Sequence, residues 1–268
     1  MKAQVNGINI NYRDEGSGQA VIFIHGFPLN QTMWDSQVAA LKDRFRVITV
    51  DLRGFGESDV PEGPYTMTQM ADDVRELMRA LSLDTAVFVG LSMGGYVSLA
   101  FYRKYPEAIK ALVLADTRAV ADDAEGRERR FKSAERALAL GSSAIADDMV
   151  GVALGATTLK DRPEVVRRMR EIAESGAPEA IASAQRGMAE RLDSRDLLAG
   201  IDFPVLVICG EEDTLTPLAQ SEALNQAIRG SKLVVIPKAG HLSNMEQGEL
   251  FNAALIGFLD SIEHRKRD

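Results

Sequence analysis

Short apolar runs recur along the chain at residues 21–24, 47–50, 86–89, 111–115, 205–208 and 233–236, broken only by Thr49. Continuous rather than alternating hydrophobicity over so few residues is the pattern of parallel strands covered on both faces. Between the runs the period lengthens to that of a helix. Met70, Val74, Leu77, Met78 and Leu81 fall on one face of the segment 67–81, and Thr66 with Gln69 makes a capping box at its start. Leu250, Phe251, Ala254, Leu255, Phe258, Leu259 and Ile262 form a second stripe near the C-terminus. Strand runs alternating with helical stripes predict an α/β fold with a mostly parallel central sheet and helices on both faces; residues 8–13 add an antiparallel edge strand.

The alternation stops between about Arg118 and Asp202. Gly141, Gly155, Pro163, Gly176 and Pro178 divide that stretch into roughly four short helical patterns, one with Val165, Met169, Ile172 and Ala173 on one side. The expected organisation is a core domain of residues 1–117 and 203–268 with a helical cap, 118–202, inserted between two strands. Phe131 is the single aromatic residue of the insertion, and Met149, Val150, Leu154, Met169, Ile172 and Met188 are its candidates for roofing a site. Such a roof adapts to different apolar groups and supplies few fixed donors to a polar one.

At 268 residues, 46% hydrophobic and 26% charged, the chain has the composition of a folded globular protein. Its 39 acidic against 31 basic residues leave a net charge of −8, which repels phosphate backbones, so no nucleic-acid partner is expected. Cys209 is the sole cysteine and there are three histidines, so neither a disulfide framework nor a Cys/His zinc module can be assembled; no metal and no cofactor is expected. The first fifteen residues hold no apolar run, and Gly90, Ser92, Gly94 and Gly95 interrupt the charge-free run 85–102. Neither a secretory signal nor a membrane span is expected, which makes the cytoplasm the expected location.

The densest chemical signal is Gly90-Leu91-Ser92-Met93-Gly94, set between an apolar run and a helical segment that ends before Pro106. Glycines two before and two after the serine let a strand reverse into a helix and leave the hydroxyl exposed at the carboxyl end of that strand. A serine hydroxyl needs a base to become a nucleophile. His264 belongs to the charged terminal stretch with Arg265-Lys266-Arg267, and His25 directly follows an early strand. His241 follows the last strand run through Lys238-Ala239-Gly240, on the sheet edge that carries Ser92. The base in turn needs a carboxylate to hold its tautomer. Asp213, between the run 205–208 and the helix start at Thr216-Pro217, is the first candidate; Glu211, Glu212 and Asp116 compete with it.

With Ser, Asp and His in that order, and with His25-Gly26-Phe27-Pro28, Asp51-Leu52-Arg53-Gly54-Phe55-Gly56-Glu57-Ser58, Gly210-Glu211-Glu212-Asp213 and Gly240-His241 around them, the chain resembles the α/β-hydrolase superfamily over nearly its whole length. The resemblance implies a catalytic triad of Ser92, Asp213 and His241 under a helical lid. It also implies an oxyanion hole of two backbone N–H groups. Met93, at a helix N-terminus, offers one; Phe27 offers the other, because Pro28 has none. His25 is then a support for that loop.

Serine at this turn, where related dehalogenases and epoxide hydrolases use a carboxylate, implies acyl transfer to water. The expected activity is hydrolysis of carboxylic esters of small to medium acyl chain. A lactonase of the enol-lactonase type and a cofactor-free haloperoxidase or perhydrolase-type esterase are the alternatives, followed by a slow-turnover small-molecule receptor. With no arginine or lysine evidently fixed beside the site, a neutral ester is favoured over a carboxylate-bearing lactone. The oligomeric state stays open. Gly54-Phe55-Gly56-Glu57-Ser58-Asp59 begins like a dinucleotide fingerprint, but Asp59 replaces the third glycine and Pro61 and Pro64 forbid an immediate helix. Arg127, Arg129, Arg130, Lys132 and Arg136, interleaved with Glu125, Glu128 and Glu135, read as a solvated helix face, and Cys209 as a small buried hydrophobe.

Overall fold

A computed structural model describes residues 1–264, with side chains to Ile262. Its strands are β1 (Lys2–Val5), β2 (Ile8–Glu15), β3 (Ala20–Ile24), β4 (Arg46–Val50), β5 (Ala86–Leu91), β6 (Ile109–Ala115), β7 (Val205–Gly210) and β8 (Lys232–Ile236). They form one sheet in the order β1-β2-β4-β3-β5-β6-β7-β8. From β4 to β8 the neighbours are parallel, while β2 runs antiparallel to β4 and β1 antiparallel to β2. All six apolar runs lie within strands. The short edge strand β1 carries no such run, since only Val5 of its four residues is buried. At the other edge β8 departs from two-sided burial: Lys232 and Val235 are exposed, as the last strand has no neighbour beyond it.

Three helices precede the insertion: α1 (Asp35–Leu41), α2 (Met67–Ala80) and α3 (Met93–Lys104). The insertion holds α4 (Ala124–Leu140), α5 (Ser142–Ala153), α6 (Ala156–Asp161), α7 (Pro163–Glu174), α8 (Pro178–Ala189) and α9 (Arg195–Leu198), and α10 (Leu218–Ala227), α11 (Ser243–Glu246) and α12 (Gly248–His264) complete the described chain. Successive strand residues feed opposite cores. Ile22, Ile48, Phe88 and Leu112 pack with Met70 and Leu77 of α2 and Phe101 of α3. Val21, Phe23, Val87 and Val113 pack with Trp34, Val38 of α1 and Phe251, Leu255 of α12. A strand sandwiched in this way has no polar face, which is why the runs are continuous. Thr66 caps α2 by accepting the Gln69 N–H at 3.1 Å.

The insertion has six helices rather than four. The single turn of α9 and the six residues of α6, between the breaks at Gly155 and Pro163, are too short to show a periodic stripe. Ala134 and Ala137 of α4 are fully buried, and the small side chains let α4 pack closely on α8. The terminal stretch Arg265-Lys266-Arg267 lies outside the described residues, and His264 is the last described residue of α12. Among the described residues no helix is long and apolar enough to cross a membrane.

Parallel strands place their carboxyl ends at one edge. The loops after β3, β5, β6, β7 and β8 therefore bring His25–Phe27, Ser92, Asp116, Asp213 and His241 to a common place, although up to 216 positions separate them in sequence (241 − 25).

Candidate active site

Ser92 sits between β5 and α3 with φ 54° and ψ −112°, a left-handed backbone that costs a β-carbon-bearing residue on the order of 1–3 kcal/mol. The surrounding glycines make the turn possible. A Cβ on Gly94 would lie 2.1 Å from the Ile24 carbonyl oxygen, and one on Gly90 would lie 2.4 Å from that of Gly94. Thr117, just beyond β6, clamps the turn by donating its hydroxyl to the Ser92 carbonyl at 2.8 Å, and the Ser92 N–H donates to Ala115 at 2.9 Å.

Ser92 Oγ is 2.7 Å from His241 Nε2, and His241 Nδ1 is 2.9 Å from Asp213 Oδ2. The serine can donate to Nε2 only if the imidazole proton is on Nδ1, which is the tautomer that a carboxylate at Nδ1 enforces. His241 is buried, which by itself lowers its pKa, but the charge and hydrogen bond of Asp213, joined by Glu246, outweigh burial and raise it above the ordinary value. For Asp213 burial pushes upward, and His241 together with Thr216 brings the carboxyl below its ordinary range. Asp213 Oδ1 also accepts the N–H groups of Leu215 and Thr216, and Oδ2 the Thr216 hydroxyl at 2.6 Å.

The loop after β3 lies against this turn: a Cβ on Gly26 would be 3.5 Å from that of Ser92. His25 is fully buried with both nitrogens engaged, Nδ1 with the Gly26 carbonyl at 3.0 Å and Nε2 with the Leu52 N–H at 3.1 Å. It braces the loop and reaches no reacting group. Among the described residues neither Phe27 nor Met93 spends its backbone N–H on a hydrogen bond.

A cavity of about 120 Å³ opens on the serine, walled by Phe27, Ser92, His241, Met149, Met188 and Arg118, among others. A larger surface groove of about 520 Å³ between α7 and the start of α12 contains neither Ser92 nor His241. Chemistry rather than size marks the smaller one as the candidate site.

The sequence profile of the alpha/beta hydrolase fold matches residues 19–247. The chain belongs to that family. A thermophilic esterase from Thermogutta terrifontis, solved with malate bound, is similar to it at 44% identity and a TM-score of 0.94, with 97% of each chain covered. The enol-lactonase from Burkholderia xenovorans is 33% identical with a TM-score of 0.90 over 97% of this chain and 100% of that one. The 3-oxoadipate enol-lactonase 2 of Acinetobacter baylyi is 33% identical over 250 residues, 92% of both proteins. Like its family, the protein is a hydrolase.

Within this α/β-hydrolase frame the competing carboxylates find other partners. Asp116 accepts the Gly210 N–H at 2.7 Å and the Ser243 hydroxyl. Burial and the negative charge of Asp213 push it up to about 8, so it is mostly neutral at pH 7. Glu212 is tied to Thr157 of α6, and Glu211 accepts the Lys238 N–H. Asp116, Cys209 and Asp213 are close enough to share a cation. That donor set favours protons instead: burial, then Asp116, pushes the Cys209 thiol up to about 12, and Asp213 is occupied by His241 and Thr216.

Two groups escaped the sequence reading. Glu246, fully buried, accepts the N–H groups of Gly240 and Leu242 with one oxygen and that of Gly155 with the other, bracketing His241 and tying its loop to the insertion. The other is a pair of arginines. Arg118 and Arg130 both line the Ser92 cavity, contrary to the expectation of a site without fixed cations. Arg129, Lys132 and Arg136 do form exposed ion pairs. Arg130 instead turns inward to Asp122 and Gln185.

The glycine-rich segment after β4 is structural. A Cβ on Gly56 would strike the Asp51 carboxylate, which accepts from Gln31, Asn11 and Glu57. Arg53 forms a buried two-pronged pair with Asp73.

Proposed function

We propose that the protein hydrolyses carboxylic esters through an acyl-enzyme, with Ser92 as nucleophile, His241 as base and then acid, Asp213 as the group that orients His241, and residues 118–202 as a cap over the site. The observation that carries this reading is the continuous hydrogen-bonded chain from Ser92 Oγ through His241 to Asp213, beside a cavity. Ser92 Oγ attacks the carbonyl carbon while its proton passes to Nε2, and the backbone N–H groups of Phe27 and Met93 receive the resulting oxyanion. Collapse breaks the bond to the leaving alkoxide, which departs as the alcohol with that proton. Water then gives a proton to Nε2 and its hydroxide to the acyl carbon; the acid is released and the proton returns to Ser92.

Lactones can follow the same steps, with the leaving oxygen still tethered to the acyl group. The lactonases among the relatives, and the arginines of the cavity wall, favour keeping that second reading.

The size of the cavity supports short acyl chains, since about 150 Å³ is what benzene fills. Along nitrophenyl esters from acetate to octanoate, each methylene that fits is expected to raise kcat/KM about fourfold, equivalent to about 0.8 kcal/mol. The rise should peak by hexanoate and then reverse, with hundreds of turnovers per molecule. A monotonic increase to octanoate would move the acyl group out of this cavity. Stalling after one turnover would favour the receptor.

A further inference from the structure

Three guanidinium groups converge on one carboxylate, and two of them line the Ser92 cavity. Asp122, just before α4, receives Arg118 Nη2 at 2.6 Å, Arg130 Nε at 2.8 Å, and both terminal nitrogens of Arg191 at 2.5 and 3.0 Å. Burial pushes the Asp122 carboxyl upward, but Arg191 and Arg130 hold it far below the usual carboxylate range. One negative charge shared among three positive ones leaves an excess of two positive charges in the cluster.

The arginines are not equivalent. Arg191 is spent on structure: it is buried, also bonds the carbonyls of Val120 and Met188, and lies over the Tyr96 ring at 4.4 Å. Arg118 and Arg130 are different, because both line the cavity that opens on Ser92. They also line an outer cleft of about 400 Å³, which shares Gln185 and Leu215 with the inner cavity as well. The Arg118 Nε–H is buried without a hydrogen-bond partner. Its position is set by Thr117, the residue bonded to the Ser92 carbonyl. Arg118 spends only Nη2 on Asp122 and lines the cavity that opens on Ser92, so it keeps donor capacity there, and a carboxylate matches a guanidinium edge in charge and shape.

We propose that Arg118 and Arg130 form a carboxylate subsite in the wall between the inner cavity and the outer cleft, so that the preferred substrate is an ester or lactone carrying a carboxylate a few bonds from its scissile carbonyl. This rests on the reading of Ser92 as the nucleophile. The excess positive charge draws such an anion in, against the overall negative charge of the chain. The guanidinium edges then fix which end of the molecule faces the serine.

The test compares two matched pairs of substrates at low salt. One is mono-4-nitrophenyl glutarate with its methyl ester, bearing the carboxylate on the acyl side; the other is 4-acetoxybenzoate with its methyl ester, bearing it on the alcohol side. Wild-type protein is expected to favour the anionic member of at least one pair by tenfold or more in kcat/KM. That ratio should shrink with added salt, fall at least fivefold in Arg118→Gln and in Arg130→Gln, and fall less in Arg118→Lys, which keeps the charge without the guanidinium edge. Should a glutamine variant fail to fold, the wild-type ratio and its salt dependence still decide. No anionic preference in either pair, while the methyl esters are turned over, would overturn the subsite and leave the hydrolase intact. Substitutions that lower both members of a pair in equal proportion would overturn it too. Failure to turn over any of the four would instead defeat the reading of Ser92 on which the subsite rests.

Discussion

Ser92→Ala is expected to lower kcat/KM for nitrophenyl butanoate by roughly 10⁵-fold or more, the scale on which loss of a serine nucleophile acts in hydrolases that work through a triad. The fold should survive. The strained turn is enforced by Gly90 and Gly94, whose positions leave no space for a Cβ. Alanine carries the same β-carbon as serine at φ 54°, so the backbone cost is unchanged. The hydroxyl removed is bonded to His241, beside the cavity. Steady-state kinetics and a thermal melt on the same preparation separate the two effects. Activity within tenfold of wild type, in protein purified free of host esterases, would mean that the acyl group is carried elsewhere.

Asp213→Asn comes next, with an expected loss of roughly 10⁴ in kcat by analogy with other serine hydrolases. The amide can keep its oxygen toward the N–H groups of Leu215 and Thr216, where Asp213 Oδ1 now accepts, so the loop should hold. Its nitrogen then faces His241 Nδ1 and donates to it, which places the imidazole proton on Nε2. That nitrogen can no longer accept from Ser92. The pH profile supplies a second readout. His241 must be neutral to act as base, and its pKa lies above the ordinary 6.5, so wild-type kcat/KM should rise through a midpoint above pH 6.5. Without the Asp213 charge burial is less opposed, and the midpoint of the residual activity should move down. Asp116→Asn is the control. A carboxyl pushed up to about 8 is already mostly neutral at pH 7. Asparagine can accept from Gly210 and donate to Ser243 in its place, so the loss should be less than about tenfold. The reverse ranking of the two variants would assign the orienting role to Asp116.

How legible each part was in the sequence depends on the range of the forces involved. Runs such as 86–89 and 205–208 announce buried strands because both faces of each strand are covered, a property written into consecutive residues. Ser92 was legible for a similar reason, since Gly90 and Gly94 answer to backbone crowding within a few positions. His241 and Asp213 followed from topology: once strands are parallel, the residues just past their ends share an edge. Which carboxylate meets Nδ1 was not decidable in that way, as Asp116 and Asp213 both end strands, and the difference is a matter of register and loop shape. The arginines were illegible because their environment is assembled from distant pieces. Arg118, Asp122 and Arg130 come from the start of the insertion and Gln185 and Arg191 from its end, and only the packing of α4 on α8 brings them together. Arg130 sits among residues whose charges alternate in sign, and nothing local distinguishes it from its exposed neighbours. Edge strand β1 was invisible for the opposite reason, having too little buried surface to leave a pattern.

The central claim is that an acyl group passes through Ser92. It is tested most directly by acid-quenching the protein within milliseconds of mixing with nitrophenyl butanoate, then weighing the intact chain and mapping its peptides. A single butanoyl adduct on the peptide containing Ser92, formed at the rate of the nitrophenol burst and absent from Ser92→Ala, is the predicted result. A butanoyl group on Cys209 or any other side chain, or nitrophenol release at full rate by Ser92→Ala, would contradict it.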